Sequence, residues 1–163
     1  MQHPFRSMWM ISVSLLCSFS VRLFSSCGHE ESQVEACADS FAYYYFRWQF
    51  QKAMNCCDSS SYRWLRFAAS QVTQRDVDSL RALKGDVTCS VNDVHFINDS
   101  VAAADVRVSN FLTMDTMGQT SLTSNETRFD IPMAYRNGVW KVHLRGLPIP
   151  FAGRITAAQL RLK

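Results

Sequence analysis

Apolar side chains recur every three to four residues along positions 34 to 48, which is the spacing of one buried helix face. The same period continues through a short second helix around Phe50 and through a third helix after the serine loop at positions 59 to 61. Thr73 stands three residues before Asp76, a capping-box spacing that predicts the start of a fourth helix. This part of the chain is therefore expected to be helical.

The period changes to two after Gly85, which is expected to cap the fourth helix. Apolar residues alternate along two successive strands, and a change of phase near Asn92 and Asp93 predicts a bulge in the first strand. The polar stretch at positions 115 to 125 is expected to be a loop. Helices followed by strands predict an α+β fold, with N-terminal helices packed on an antiparallel sheet of about four strands.

The last strands carry the clearest structural signal, because Asn137 and Gly138 tolerate the positive φ that both central positions of a type I′ hairpin turn require. Such a turn fixes the register of the flanking strands. The predicted facing pairs, all apolar and on one sheet face, are Tyr135 with Trp140, Met133 with Val142, and Ile131 with Leu144. Turn chemistry and hydrophobic pattern thus agree on one hairpin.

A leader precedes the helices. Positions 9 to 21 are apolar or small and carry no charge, and Arg6 stands before them. Thirteen residues are too few to cross a hydrocarbon core of ~30 Å, which needs about 20, but they suit a signal peptide. The sequence Leu-Phe-Ser-Ser-Cys at positions 23 to 27 resembles the lipobox of bacterial lipoproteins, in which the signal is cut before an acylated cysteine. We predict a lipoprotein signal peptide at residues 1–26 and a palmitate-type lipid anchor on Cys27, which holds the protein at the membrane.

Two positions depart from the lipobox: Phe24 stands where leucine is preferred, and Arg22 separates the box from the apolar stretch. The alternatives are an ordinary signal peptide cut nearby, with Cys27 a plain cysteine, and an uncleaved anchor. Glu30 and Glu31 resemble the surface-export signal of Bacteroidetes-type lipoproteins, which implies the cell outer membrane and display on its outer face. The alternative here is a solvated linker leading into the first helix.

The predicted domain plan is an acidic linker at residues 27–31, one domain at residues 32–147 that becomes helical from Ser32, and a C-terminal tail at residues 148–163. Without the leader, which holds Arg6 and Arg22 and no acid, 15 basic residues remain against 14 acidic ones. This balance gives no electrostatic reason to expect nucleic acid as a partner.

Helices followed by an antiparallel sheet that closes in Asn-Gly-Val-Trp-Lys-Val resemble the nuclear transport factor-like superfamily. Positions 41 to 73 look like the opening of its small bacterial lipoprotein members, and positions 138 to 142 look like their last strand. The resemblance implies a curved, cone-like sheet around the first helix, with an apolar ligand pocket inside. The candidate pocket residues are Tyr45, Phe129, Ile131, Met133, Tyr135 and Trp140.

An isomerase or dehydratase of this superfamily needs a carboxylate or histidine among apolar walls. His95, Asp105 and Asp130 fall on the sheet face opposite the apolar one, so we interpret them as solvated and assign no catalytic residue. A catalytic site at Tyr135, His95 and Asp105 would require bulges that reverse the pleat. No cysteine or histidine pair has the spacing of a zinc site, and no cofactor motif is present, so no metal or cofactor is predicted.

Four cysteines remain beyond Cys27. Cys37 can pair with Cys56 or Cys57 in an oxidising compartment, and the alternative is that these residues and Cys89 are buried free thiols. The run Tyr43 to Trp48 is the most aromatic in the chain; one side packs in the core, and the other side can meet a partner through Tyr44, Arg47 or Trp48.

These patterns favour an envelope-anchored lipoprotein without enzymatic activity that binds a small apolar ligand or an envelope protein. The alternatives are a pocket enzyme of isomerase or dehydratase type and an accessory subunit of an envelope assembly.

Overall fold

The computed structural model describes residues 26–114, 120–123 and 126–151. Its helices are α1 (Ser26–Tyr45), α2 (Phe50–Ala53), α3 (Tyr62–Gln71) and α4 (Gln74–Arg81), with 3₁₀ turns at Met54–Cys56 and Ser59–Ser61. Its strands are β1 (Thr88–Asn98), β2 (Val101–Ser109), β3 (Phe111–Met114), β4 (Thr120–Thr123), β5 (Thr127–Arg136) and β6 (Val139–Val142). The predicted α+β order, with helices before strands, is confirmed.

The first helix begins at Ser26 rather than at Ser32. Residues 27–31, which we predicted to be a linker, are therefore helical. No residue between these two positions interrupts a helix, since Gly28 has only a modest cost in helix stability. The side chains of His29 and Gln33 also form a hydrogen bond of 2.9 Å across one helical turn. The leader, residues 1–25, lies outside the described residues, so the signal peptide stays a prediction.

A four-stranded antiparallel sheet has the order β1-β2-β5-β6. The apolar face predicted for β2 is confirmed, because Ala102, Ala104, Val106 and Val108 are all buried. The first three pair with core positions of β5, namely Met133, Ile131 and Phe129. The predicted bulge is confirmed at Asn92, which is skipped between the pairs Val91–Val106 and Asp93–Asp105. The bulge lets β1 keep apolar side chains inward on both sides of it.

Part of the predicted loop at positions 115 to 125 is a strand. Thr120–Thr123 pairs antiparallel with Phe111–Met114 in a separate two-stranded ribbon. Thr120, Leu122 and Thr123 have high strand propensity. The run is too short to give an alternating pattern within its polar neighbours, so the sequence did not predict a strand there. Residues 115–119 and 124–125 lie outside the described part of the chain.

The β5–β6 hairpin is confirmed. Asn137 and Gly138 have φ of +52° and +84°, and the ladder pairs Tyr135 with Trp140 and Met133 with Val142. The third predicted pair, Ile131 with Leu144, lies beyond the ladder because β6 ends at Val142. Both residues of that pair are nevertheless buried.

The edge of β6 is covered by the segment after α2. Cys57 forms a parallel bridge with Val142, whose carbonyl oxygen accepts a hydrogen bond from the Asp58 amide at 3.0 Å. Ser61 fastens the same strand, because its hydroxyl donates to the Val142 carbonyl and accepts from the Leu144 amide. An edge strand capped in this way offers few free backbone groups.

The capping box at the start of α4 is confirmed, with the Thr73 hydroxyl and the Asp76 carboxylate each bonding the other's backbone amide. The helix ends at Arg81 with Ala82 as its C-cap, so Gly85 is not the cap that we predicted. Its φ of +105° instead turns the chain toward β1. At the other end of the chain, Phe151 donates its amide to the Arg128 carbonyl, and residues 152–163 lie outside the described part.

Candidate functional site

Four of the six candidate pocket residues are packed in the core. Phe129, Ile131, Met133 and Trp140 are at most 4% exposed and belong to the cluster that α1 buries against the sheet. Phe46 of the aromatic run lies against Phe129, with ring centroids 4.6 Å apart. The structure thus brings these residues together as packing partners, and their role in a ligand pocket stays a prediction.

The two tyrosines of that set lie apart. Tyr45 stacks on Phe41 at 5.3 Å, and burial raises the pKa of its hydroxyl. Tyr135 is 40% exposed and leans on Trp140 at 5.4 Å. Phe96 of β1 lies edge-on to Trp140 of β6 with ring centroids 5.6 Å apart, so these two large side chains reach toward each other across the two central strands.

The described residues hold two carboxylates in buried positions. Asp76 serves the capping box, and Asp105 accepts hydrogen bonds from Arg128 (Nε, 3.0 Å) and Asn92 (Nδ2, 3.2 Å). We had interpreted Asp105 as solvated, but it is 2% exposed because Arg128 lies over it. Burial alone would raise the pKa of Asp105; the bonds from Arg128 and Asn92 outweigh it and hold that pKa below its ordinary value.

His95 and Asp93 form an ion pair at 3.3 Å in which both side chains are about half exposed, as expected for a solvated face. Among the residues that the structure describes, no cluster of three or more metal-ligating side chains is found. Within the same residues, no helix combines the length and apolar character needed to span a bilayer.

A histidine–carboxylate pair lies beside β6. His143 Nδ1 is 2.5 Å from Asp58 Oδ2, and the Ser60 hydroxyl donates to Asp58 Oδ1 at 2.8 Å while lying 3.3 Å from the same His143 nitrogen. In a serine hydrolase the carboxylate and the serine use opposite nitrogens of the ring. Here both lie at Nδ1, so the histidine holds the loop to the strand and does not activate Ser60.

An open cleft of about 490 Å³ lies between the end of α1, α2 and α3. We call it the Trp48 cleft. Its apolar wall combines aromatic and aliphatic side chains, and its rim carries amides and two cations; the lining residues are Trp48, Gln49, Phe50, Gln51, Lys52, Met54, Arg66 and Ala69. This volume lies within the range of small-molecule sites.

The tight turn that ends α1, at residues 46–49, shapes the backbone of the cleft. Trp48 has φ +58°, a left-handed conformation that costs a non-glycine residue about 1–2 kcal/mol. It is held there because the Gln49 amide returns to the Tyr44 carbonyl at 2.9 Å. Arg47 fixes the other side of the turn, with its guanidinium 3.9 Å above the Tyr43 ring and bonded to the Val87 carbonyl. Of the three aromatic-run positions expected to meet a partner, Trp48 is the one that lines the cleft.

Two polar features distinguish this cleft. Gln49 Oε1 is buried and has no hydrogen-bond partner among the described residues. Lys52 and Arg66 place two positive charges on a lining that contains no acid. A buried acceptor without a partner costs about 1–3 kcal/mol. Apart from the aromatic run, no sequence pattern predicts this site, because its walls come from three separate segments.

Solved structures with a similar arrangement include a ketosteroid isomerase-like protein from Erwinia carotovora atroseptica, 10% identical with TM-score 0.49 over 69% of this chain and 90% of its own. An NTF2-like protein from Campylobacter jejuni, named a candidate transpeptidase, is 17% identical with TM-score 0.45 over 68% and 97%. An Ntf2-like protein involved in plasmid conjugation is 15% identical with TM-score 0.39 over 77% and 50%.

No protein-family model matches this chain, and no curated protein does either. The names of the structural neighbours are those of the superfamily that the sequence resembles. With TM-scores below 0.5, these likenesses say nothing about activity, substrate or partner.

Proposed function

We propose that this chain is an envelope lipoprotein of the nuclear transport factor-like type, anchored through Cys27, whose domain binds a small ligand in the Trp48 cleft without transforming it. The ligand has an apolar body and an anionic group. One observation carries the binding part: Trp48 and Phe50 line the cleft beside two cations, and its lining contains no acid.

The competing functions have less support. A pocket enzyme needs a free inward carboxylate or histidine, whereas Asp76 and Asp105 are each held by other groups. An assembly subunit that docks through the outer face of the sheet needs an apolar surface there. That face instead carries charged side chains, including the His95–Asp93 and Arg107–Glu126 pairs.

The binding part is tested with dodecanoate as probe and dodecanol as its uncharged control. Binding is followed by calorimetry and by tryptophan fluorescence, with Trp48→Phe to identify the Trp48 signal among the four tryptophans. Dodecanoate is expected to bind, and Arg66→Gln to weaken it about fivefold, since an exposed charge contributes roughly 1 kcal/mol. Arg63→Gln is the matched control: Arg63 is exposed on the same helix but lies over Trp64, outside the lining. Equal affinities for wild type and both variants would show that the cleft is not the site.

The anchor is tested separately by fractionating cells and by labelling with palmitate. The wild-type protein is expected in the membrane fraction with label, and Cys27→Ala in the soluble fraction without it. Cys89→Ala serves as the control because Cys89 lies on β1, within the folded domain. A Cys27→Ala protein that still fractionates with membranes would rule out lipidation as the means of attachment.

A further inference from the structure

The structure gathers three of the cysteines at one place. Cys37 of α1 donates a weak hydrogen bond from Sγ to the Cys56 carbonyl at 3.4 Å, and Cys57 follows directly in sequence. The Lys141 ammonium on β6 bonds the neighbouring Asn55 carbonyl at 2.7 Å. Burial raises the pKa values of all three thiols, and the nearby Lys141 charge partly offsets this rise.

The surroundings distinguish the two possible partners of Cys37. Cys57 is 4% exposed, and its thiol, although near Cys37 and Cys56, already donates to the Ala53 carbonyl at 3.3 Å within its own turn. Cys56 belongs to the 3₁₀ turn after α2, is half-buried, and lies against α1 beside Cys37. Cys89 is on another side of α1, next to Asp39 and Arg47, and therefore out of reach of Cys37.

We propose that Cys37 and Cys56 form a disulfide that ties α1 to the turn after α2 when the protein meets an external disulfide, such as oxidised glutathione or a disulfide-exchange protein. One of the two thiolates attacks the external disulfide and releases one external thiol. The second thiolate then attacks the resulting mixed disulfide and releases the other. Two cysteine thiols and one external disulfide thus become one internal disulfide and two external thiols.

This inference rests on the export that the proposed function includes, because disulfides persist in oxidising compartments. Its chemistry can nevertheless be tested outside the cell. Burial, reinforced by the neighbouring Cys56, raises the pKa of the Cys37 thiol to about 11 despite Lys141. Closure is therefore expected to be slow at neutral pH and faster as the pH rises.

The purified full-length protein is reduced, incubated with glutathione mixtures of increasing oxidised fraction, denatured, alkylated and analysed by peptide mass spectrometry. We expect one linked Cys37–Cys56 peptide and alkylated Cys57 and Cys89. Cys57→Ser should keep the bridge, Cys56→Ser should lose it, and Lys141→Gln should slow its closure. The closed loop of 19 residues should favour the folded state on the order of 100-fold in the unfolding equilibrium.

Complete alkylation of Cys37, Cys56, Cys57 and Cys89 at every redox ratio would overturn the proposal, and so would a Cys37–Cys57 link. Because this assay uses no membrane and no ligand, its failure leaves the anchor and the Trp48 cleft untouched. Conversely, a bridge that forms in vitro stands even if Cys27→Ala remains in the membrane fraction.

Discussion

Asp105 keeps a negative charge within the sheet because its two oxygens are occupied. Arg128 of β5 reaches Oδ1 and Oδ2 together, and Asn92, the bulged residue of β1, adds a third bond. A carboxylate bonded in this way stays ionised although its side chain is only 3% exposed. The Arg128 side chain is 47% exposed, which keeps the pair partly screened by water.

Replacing Asp105 by asparagine removes the ion pair and is expected to lower the free energy of unfolding by about 2 kcal/mol at pH 7. Since the pKa of Asp105 is lowered by folding, its contribution is present above the unfolded pKa of about 3.9 and is lost as the pH falls through the folded value. Urea unfolding at pH 7 and at pH 3 should therefore show a smaller difference between wild type and Asp105→Asn in acid. A difference that is equal at both pH values would contradict the assignment.

The alternation of apolar and polar residues along β2 predicts which sheet face Asp105 lies on, but it does not predict that Asp105 is buried. Arg128 lies diagonally across the β2–β5 register, where Arg107 is its direct partner. Which long side chain folds over which carboxylate depends on sheet curl and on the bulge at Asn92. Neither is visible in a pattern of period two.

Among the elements, the β5–β6 hairpin requires a left-handed backbone at both central positions of its turn. Gly138 has φ +84° and nothing within 4 Å of the position where a Cβ would stand, so an alanine there meets backbone strain but no clash. Gly138→Ala is expected to lower the free energy of unfolding by about 1 kcal/mol. Gly146→Ala is the matched control, with equal space and no left-handed φ, and should be neutral or slightly stabilising. Thermal unfolding of both variants measures the difference, and equal losses would mean that the turn conformation is not the cause.

The elements that were predicted well are those whose signal is local. Asn137 and Gly138 set the conformation of their own turn, and Thr73 caps its own helix, so sequence alone suffices. The ribbon strand at Thr120–Thr123 has no such signal, because four residues form a strand only when Phe111–Met114 is there to pair with them. The sequence did not predict that α1 begins at Ser26, because residues 28–33 are exposed and polar or small, and so show no periodic pattern of apolar side chains.

The whole molecule has two distinct ends, because β1 runs against the direction of α1. Arg47, just after the end of the helix, bonds Val87 just before the strand, whereas Ser32 and Glu35 near the helix start lie by Val91. The strand then continues beyond them to the β1–β2 turn. The β5–β6 turn lies beside that turn, since the Tyr135 amide bonds the Ser100 carbonyl at 2.8 Å. Both hairpin turns therefore lie toward the end of the molecule where α1 begins.

This arrangement separates the proposed anchor from the proposed binding site. Cys27 lies in the first turn of α1, and the Trp48 cleft follows the last turn, about 30 Å away along a helix of 20 residues. Four of the seven exposed large apolar side chains in the described residues lie at or beside the two hairpin turns: Phe96, Ile97, Tyr135 and Val139. Aromatic side chains suit the headgroup region of a bilayer, so a lipid on Cys27 would turn the hairpins toward the membrane and leave the cleft facing away.

Hydrogen–deuterium exchange can determine which end of the domain faces the membrane. Lipidated protein in vesicles is compared with Cys27→Ala protein in solution, which has the same folded domain without the anchor. Amides of the β1–β2 and β5–β6 turns are expected to exchange several-fold more slowly in vesicles, because the membrane limits their access to water, while those of α3 remain unchanged. Slower exchange in α3 with unaltered turns would place the cleft, and not the hairpins, against the membrane. A ligand would then have to enter from the bilayer, which makes the orientation decisive for how the Trp48 cleft is reached.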